Sequence, residues 1–253
     1  MIFDCDSHLS PYRNHAKAID AAGLNNLFEE AGVERALIWL MPQGVDDVRE
    51  SNRYVHQSAR RYPRFLPFGW TNVAEGLGKA KDEVKRCLLE YGFPGVKLNG
   101  AQNEYAIDCR EAMLVCETIA RYDGMIAFHI GADSPDFTSA YRAANVARAF
   151  PETTILMVHM GGAAEPDRAH EVIEVAKVHP KMMLIGSAIA AQRVKQAIDI
   201  LGSERVLYGS DSPFHSLDTA LADYASMLNE YSEIQRDMVM YENAARIFLG
   251  QPD

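Results

Sequence analysis

Short apolar runs and amphipathic helical patterns alternate along almost all of this 253-residue chain, and that alternation limits the folds open to it. Strands are expected at residues 2–6, 33–40, 65–71, 94–99, 125–130, 154–159, 182–186 and 205–210. Helical patterns lie between them at 16–31, 46–62, 75–90, 110–122, 138–150, 165–178, 191–201 and 217–229, with one more at 233–249. Apolar runs this short read as strands buried on both faces, as in a parallel sheet covered by helices. Gly23 and Gly32 punctuate the first helix, Pro63 follows the second, Gly92 the third and Pro180 the sixth. Eight strand–helix units predict an α/β chain folded as a (β/α)8 barrel, with an extra C-terminal helix. A doubly wound open sheet is the competing architecture, but no GxGxxG turn follows the first strand. There is no Gly/Ser-rich linker, long like-charge block or short-period repeat, so residues 1–253 read as a single domain.

Four of the apolar runs end on side chains that bind metals or move protons. They are Ile2-Phe3-Asp4-Cys5-Asp6-Ser7-His8, Met125-Ile126-Ala127-Phe128-His129, Ile155-Leu156-Met157-Val158-His159 and Val206-Leu207-Tyr208-Gly209-Ser210-Asp211. Parallel α/β folds keep their chemistry at the carboxyl ends of the strands. Side chains alternate along a strand, so Asp4, Asp6 and His8 are expected on one face and Phe3 and Cys5 on the other. By the same parity Lys97 lies with Gly95 and Asn99, opposite Val96 and Leu98, and His129 lies with Ala127.

Asp6 and His8 chelate from one face in this reading, and His129 and Asp211 complete a set of two nitrogens and two carboxylates. Such a set, with an open position, suits one catalytic divalent ion: Zn²⁺ first, then Mn²⁺ or Fe²⁺. The ion lowers the pKa of bound water toward ~7 and polarises a substrate oxygen. His159 is then a general acid/base or a donor to a developing oxyanion. A single buried histidine more often only satisfies hydrogen bonds; the agreement of four strand ends raises these above that reading. Asp4 reads as a support beneath the ligands. Lys97 has three readings: an ion-paired interior lysine, a contact for a substrate carboxylate, or a carboxylated bridge between two metals. Trp39, Phe214 and Trp70 sit at or near strand ends and suit either an apolar pocket wall or plain packing. Asn99, His215, Gln102 and Arg142 are polar candidates near the mouth, with an ordinary solvated loop as the alternative. His15, His56, His170 and His179 fall in or beside helical patterns and read as surface residues.

Composition narrows the partners. The formal charge of −10 argues against nucleic acid or an anionic membrane as the main partner. No apolar stretch approaches the ~20 residues that span a bilayer. The first residues form a strand with no basic segment before it, so no signal peptide is expected. Cys5, Cys87, Cys109 and Cys116 show no CxxC spacing, which fits a reduced, cytoplasmic setting. The expected partner is a small-molecule substrate, with a homodimer as the default assembly.

Several segments together resemble one family: the opening DCDSH, the GVKLN strand, FHIG, VHMGG, YGSDSPF and the closing ENAARIF. In this order they are similar to the amidohydrolase superfamily, in the metal-dependent group related to aminocarboxymuconate semialdehyde decarboxylase. The resemblance covers nearly the whole chain. It implies metal ligation by Asp6, His8, His129 and Asp211, with His159 as the catalytic histidine and Asp211 also orienting or deprotonating the water in hydrolytic members. The family's first motif is usually His-x-His, and here it is Asp6-x-His8. The implied activity is metal-dependent hydrolysis of an ester, lactone or amide. Non-oxidative decarboxylation of a small carboxylic acid is the alternative, and the short chain with tight connections tilts toward hydrolysis. A barrel that has lost its metal and binds a metabolite without turnover is a further alternative, motivated by Asp6.

Overall fold

Nine strands run through the chain: β1 Phe3–Leu9, β2 Arg35–Leu40, β3 Phe65–Pro67, β4 Gly69–Thr71, β5 Gly95–Leu98, β6 Met125–His129, β7 Ile155–Val158, β8 Met182–Ile185 and β9 Val206–Leu207. The computed structural model describes residues 1–12, 15–42 and 47–250, and all counts refer to these. The chain divides into two compact units, Met1–Pro67 with Ile185–Asp253, and Phe68–Leu184.

In the first unit β1, β2 and β3 lie side by side and parallel. All seven residues of β1 are buried, and so are the last five of β2. This is why Ala36–Leu40 of β2 is a continuous apolar run, whereas β1 alternates apolar and polar residues and buries both sets. The helices that follow start where aspartates cap them. Asp20 accepts from Gly23 N ahead of Ala21–Glu30, and Asp47 accepts from Glu50 N ahead of Val48–Arg61. The expected start of the second helix, residue 46, lies outside the described residues. Tyr54 Oη accepts from Ala21 N at 3.0 Å and joins the two helices.

The C-terminal pattern at 233–249 is one continuous run: Glu233–Asp237, a wider π turn at Met238–Glu242, then Asn243–Leu249. Ser232 and Gln235 form a capping box at its start. The buried Asn243 Nδ2 donates to Ser203 O (2.7 Å) and Val206 O (2.9 Å), tying this helix to the entry of β9. Phe3 packs against the Tyr241 and Phe248 rings, with centroids 6.0 and 5.8 Å apart.

In the second unit β4 to β8 follow one another in order. Trp70 is registered with Lys97, Lys97 with Ala127, and Ala127 with Leu156. Gly95 is needed here: a Cβ would lie 2.4 Å from Met125 O and 2.4 Å from Phe68 Cζ.

The structure departs from the sequence reading in several places. The first helix, expected from residue 16, begins at Ala21, and the sixth, expected from 165, begins at Ala169. Residues 65–71 form two short strands separated at Phe68, after Pro67, which has no N–H for a ladder. The last expected strand, 205–210, is regular only at Val206–Leu207. Beyond it the chain still runs beside β1, through Cys5 N to Tyr208 O (2.9 Å) and a parallel bridge between Ser7 and Ser212. The β1–β2 register slips between Asp4 and Ser7, so strict two-residue alternation does not hold across that bulge. Short helices at Gly100–Asn103 and Pro135–Thr138 occupy connections expected to be loops. The four cysteines are free, as expected. No helix is long and apolar enough to cross a membrane among the described residues.

Candidate active site

In the first unit His8 is the centre of the polar cluster. Its Nδ1 lies 2.8 Å from Leu40 O, a contact that requires Nδ1 to carry the proton and leaves Nε2 with a lone pair. That nitrogen is 3.5 Å from Asp6 Oδ1 and 3.4 Å from Asp211 Oδ1. Trp39 Nε1 donates to that lone pair at 3.1 Å, a hydrogen bond that a bound ion would replace. Phe214 presents a ring edge-on to the imidazole, centroids 5.1 Å apart. Asp6, His8 and Asp211 are all buried, while His215 stands largely exposed with Nε2 3.6 Å from Asp211 Oδ2. Thus β1, the end of β2 and the stretch after β9 bring together six residues singled out in the sequence.

Two serines and a glycine that the sequence did not single out complete this cluster. Ser187 Oγ donates to Asp6 Oδ2 at 2.5 Å, and both residues are buried. Gly209 allows their approach, since a Cβ there would lie 2.6 Å from Ile185 Cγ2 and 3.1 Å from Asp6 Cβ. Ser210 Oγ donates to Asp4 Oδ2 at 2.5 Å. Asp4 is fully buried, and burial pushes its carboxyl up to about 7 against the lowering effect of the Ser210 hydroxyl. Asp211 itself has a left-handed backbone, φ 58°, a costly conformation for a residue with a Cβ.

The donor set in this unit fits a divalent ion. Nδ1–H bonded to a backbone carbonyl is the arrangement that orients a metal-ligating histidine through Nε2. Ligand atoms ~2.0–2.2 Å from a tetrahedral ion stand about 3.4 Å apart, the spacing seen from Nε2 to each carboxylate. Asp6 and Asp211 also offer oxygens within 4.8 Å of each other. One nitrogen and two carboxylates suit Zn²⁺, Mn²⁺ or Fe²⁺ alike.

In the second unit His129 and His159 end β6 and follow β7. Their rings meet edge-to-face, centroids 4.7 Å apart, and both are buried. His129 Nε2 lies 2.9 Å from Asp133 Oδ1. Burial would raise the Asp133 carboxyl, but the His129 hydrogen bond and the charges of His129 and His159 outweigh it and hold the group below its usual range. Asp133 was not singled out in the sequence. The loops carrying the two histidines are stapled by Ile130 N to Val158 O (2.9 Å), Gly161 N to Ile130 O (2.8 Å) and Ala132 N to Gly162 O (2.7 Å). His159 and Met160 both have positive φ, 69° and 40°, so the turn after β7 is a strained one that presents His159.

Lys97 is buried, with Nζ 5.2 Å from the centroid of Trp70. This is cation–π distance, and it follows from the Trp70–Lys97 register. Asn99 Oδ1 accepts from Gln102 N at 3.0 Å and caps Gly100–Asn103, which leaves its amide NH₂ for another partner. Arg142 is engaged away from these residues, with Asp108 Oδ1 (2.5 Å) and Asp136 O (2.8 Å).

The amidohydrolase family model matches residues 3–249. The chain belongs to the amidohydrolase family. It is therefore an enzyme-family chain whose fold is shared with solved structures of low identity. An uncharacterized TIM-barrel protein from Bordetella bronchiseptica is 17% identical, with TM-score 0.78 over 99% of both chains. A dihydroxybenzoic acid decarboxylase from Polaromonas, solved with manganese and the inhibitor 2-nitroresorcinol, is 18% identical, with TM-score 0.76 over 99% of this chain and 98% of that one. A probable 2-pyrone-4,6-dicarboxylic acid hydrolase from Acinetobacter baumannii, with citric acid bound, is 13% identical, with TM-score 0.70 over 98% of both. The (β/α)8 expectation is borne out.

Proposed function

We propose that this amidohydrolase is a metal-dependent, non-oxidative decarboxylase of a small aromatic carboxylic acid, working as one barrel domain over residues 1–253. The observation that carries the reading is the buried Lys97 ammonium against the Trp70 face. A cation and an aromatic surface on neighbouring strands suit a planar substrate with a carboxylate. The likeness to the Polaromonas decarboxylase supports the same reading.

Asp6, His8, His129 and Asp211 are assigned as ligands of one divalent ion, Zn²⁺, Mn²⁺ or Fe²⁺. When bound, the ion supplies a Lewis-acid centre that fixes and polarises an oxygen of the substrate. Lys97 pairs with the departing carboxylate group, and Trp39, Asn99, Phe214 and His215 line the substrate. His159 holds the proton that replaces carbon dioxide. As the carbon–carboxylate bond breaks, its electron pair stays on the ring carbon, and protonation from His159 Nε2 or Nδ1, or from Asp211, completes the exchange of CO₂ for H.

Hydrolysis of an ester, lactone or amide is the second reading, favoured by the likeness to the pyrone dicarboxylic acid hydrolase. Product analysis separates the two. Incubation of the metallated protein with hydroxybenzoic acids is expected to release one CO₂ per acid consumed. Turnover of pyrone lactones without CO₂, and none of the benzoic acids, would overturn the decarboxylase. Failure to retain any divalent ion on purification would point instead to a metal-free binding barrel.

A further inference from the structure

Asp4 is the one fully buried carboxyl group beside the cluster in the first unit with no role in the chemistry just described. Its partners are specific. Oδ1 accepts from Asp6 N (3.0 Å) and from Ser210 N (3.0 Å), and Oδ2 accepts from Ser210 Oγ. Ser210 Oγ in turn accepts from Ser212 N at 3.0 Å and lies 2.7 Å from Ser212 Oγ. Ser212 O accepts from His8 N at 2.7 Å, closing the circuit on β1.

The circuit passes through both neighbours of Asp211 and through the backbone of both Asp6 and His8. Residues 206 positions apart in sequence are thereby held in one hydrogen-bonded frame. Asp211 O accepts from Phe214 N (2.8 Å) and His215 N (3.2 Å), which fixes the turn on its far side, and the frame fixes its left-handed backbone against β1 through the residues on either side. Without it, residue 211 would relax toward an ordinary conformation and carry its carboxylate away from His8.

We propose that Asp4 is a positioning residue that locks the Asp211 turn onto the strand bearing Asp6 and His8, and so sets metal affinity without touching the ion. The proposal rests on the reading of Asp6, His8 and Asp211 as ligands. Asparagine is the informative replacement. Its amide oxygen still accepts from both backbone N–H groups, and its NH₂ donates to Ser210 Oγ, whose own hydrogen turns to Ser212 Oγ. Alanine removes every link.

The test is Mn²⁺ titration of chelator-treated full-length protein, followed by electron paramagnetic resonance, with circular dichroism confirming the fold. Asp4→Ala is expected to weaken Mn²⁺ binding about 10- to 100-fold, the scale for losing a group that orients a ligand, and to broaden the bound-ion spectrum. Asp4→Asn is expected to stay within about threefold of wild type. Should Asp4→Ala not fold, Ser210→Ala, which cuts the same frame, is expected to weaken binding about tenfold. Unchanged Mn²⁺ affinity in a folded Asp4→Ala or Ser210→Ala protein overturns the proposal, as does equal loss in Asp4→Asn and Asp4→Ala. His8→Ala is the control on the underlying reading. If it too binds Mn²⁺ normally, the ligand assignment has failed; if it alone loses the ion, only the role of Asp4 has.

Discussion

Removing the Ser187 hydroxyl tests whether the Asp6 carboxylate is held as a buried charge. Ser187→Ala deletes one oxygen and leaves a void smaller than a methyl group, so the packing cost is small. What is lost is the 2.5 Å donation from Ser187 Oγ to Asp6 Oδ2, with both residues excluded from water. A hydrogen bond to a charged group contributes ~1.5–3 kcal/mol, because the acceptor cannot recover the interaction from solvent. Unfolding entropy of roughly 2.1 cal/mol/K per residue gives about 0.53 kcal/mol/K over 253 residues. The expected shift is therefore a fall in Tm of about 3–6 °C for metal-stripped protein. Scanning calorimetry of wild type and variant, each treated with chelator, reads this directly. A fall below about 1 °C would refute the reasoning, since a buried carboxylate cannot lose a donor at that spacing so cheaply.

Three further outcomes follow from the site residues. His8→Ala is expected to purify with less than a tenth of the wild-type divalent ion by elemental analysis, and full occupancy would remove His8 from the ligand set. His159→Asn is expected to stay folded and metallated while turnover falls by about two to four orders of magnitude, the usual scale for losing a general acid/base; loss of the ion would make His159 a ligand instead. Lys97 is expected to carry no carboxylate adduct, so intact mass under carbon dioxide should show no added CO₂, and a carbamate bridging two ions in a density map would refute the single-ion site.

Much of the fold was legible because burial on both faces leaves a strong local trace. The strand expected at 125–130 is found at Met125–His129. The helices at Ala21–Glu30 and Val48–Arg61 were legible from their periodicity and from Gly32 and Pro63 after them, although the aspartates that cap them, Asp20 and Asp47, were not singled out. What stayed hidden depends on partners distant in sequence. The slip between Asp4 and Ser7 has no signature in β1, because it is a mismatch with β2. Ser187 sits in an unremarkable Gly-Ser-Ala stretch, and its importance exists only because Asp6 is 181 residues away along the chain and 2.5 Å away in space. Asp133 is nearer, four residues after His129, yet GADS carries the same residues as any turn.

The same contrast explains what the family-like motifs encode. YGSDSPF reads as one block, but only Asp211, and the rings Phe214 and His215 after it, face the cluster. Gly209 is there because no Cβ fits between Ile185 and Asp6, and Ser210 and Ser212 because an otherwise strained turn has to be tied to β1. ENAARIF, at the far end of the chain, holds no group that faces the cluster. Its Asn243 spends both amide hydrogens on carbonyls at the entry of β9, which fixes where that strand begins and therefore where Asp211 ends up. In both segments each structural residue constrains the position of a chemical one. Replacing Asn243 with Asp, which keeps the shape but has no hydrogens to donate, should accordingly lower both stability and metal affinity, although the partners of the side chain, Ser203, Val206 and Arg246, all lie outside the proposed ligand set.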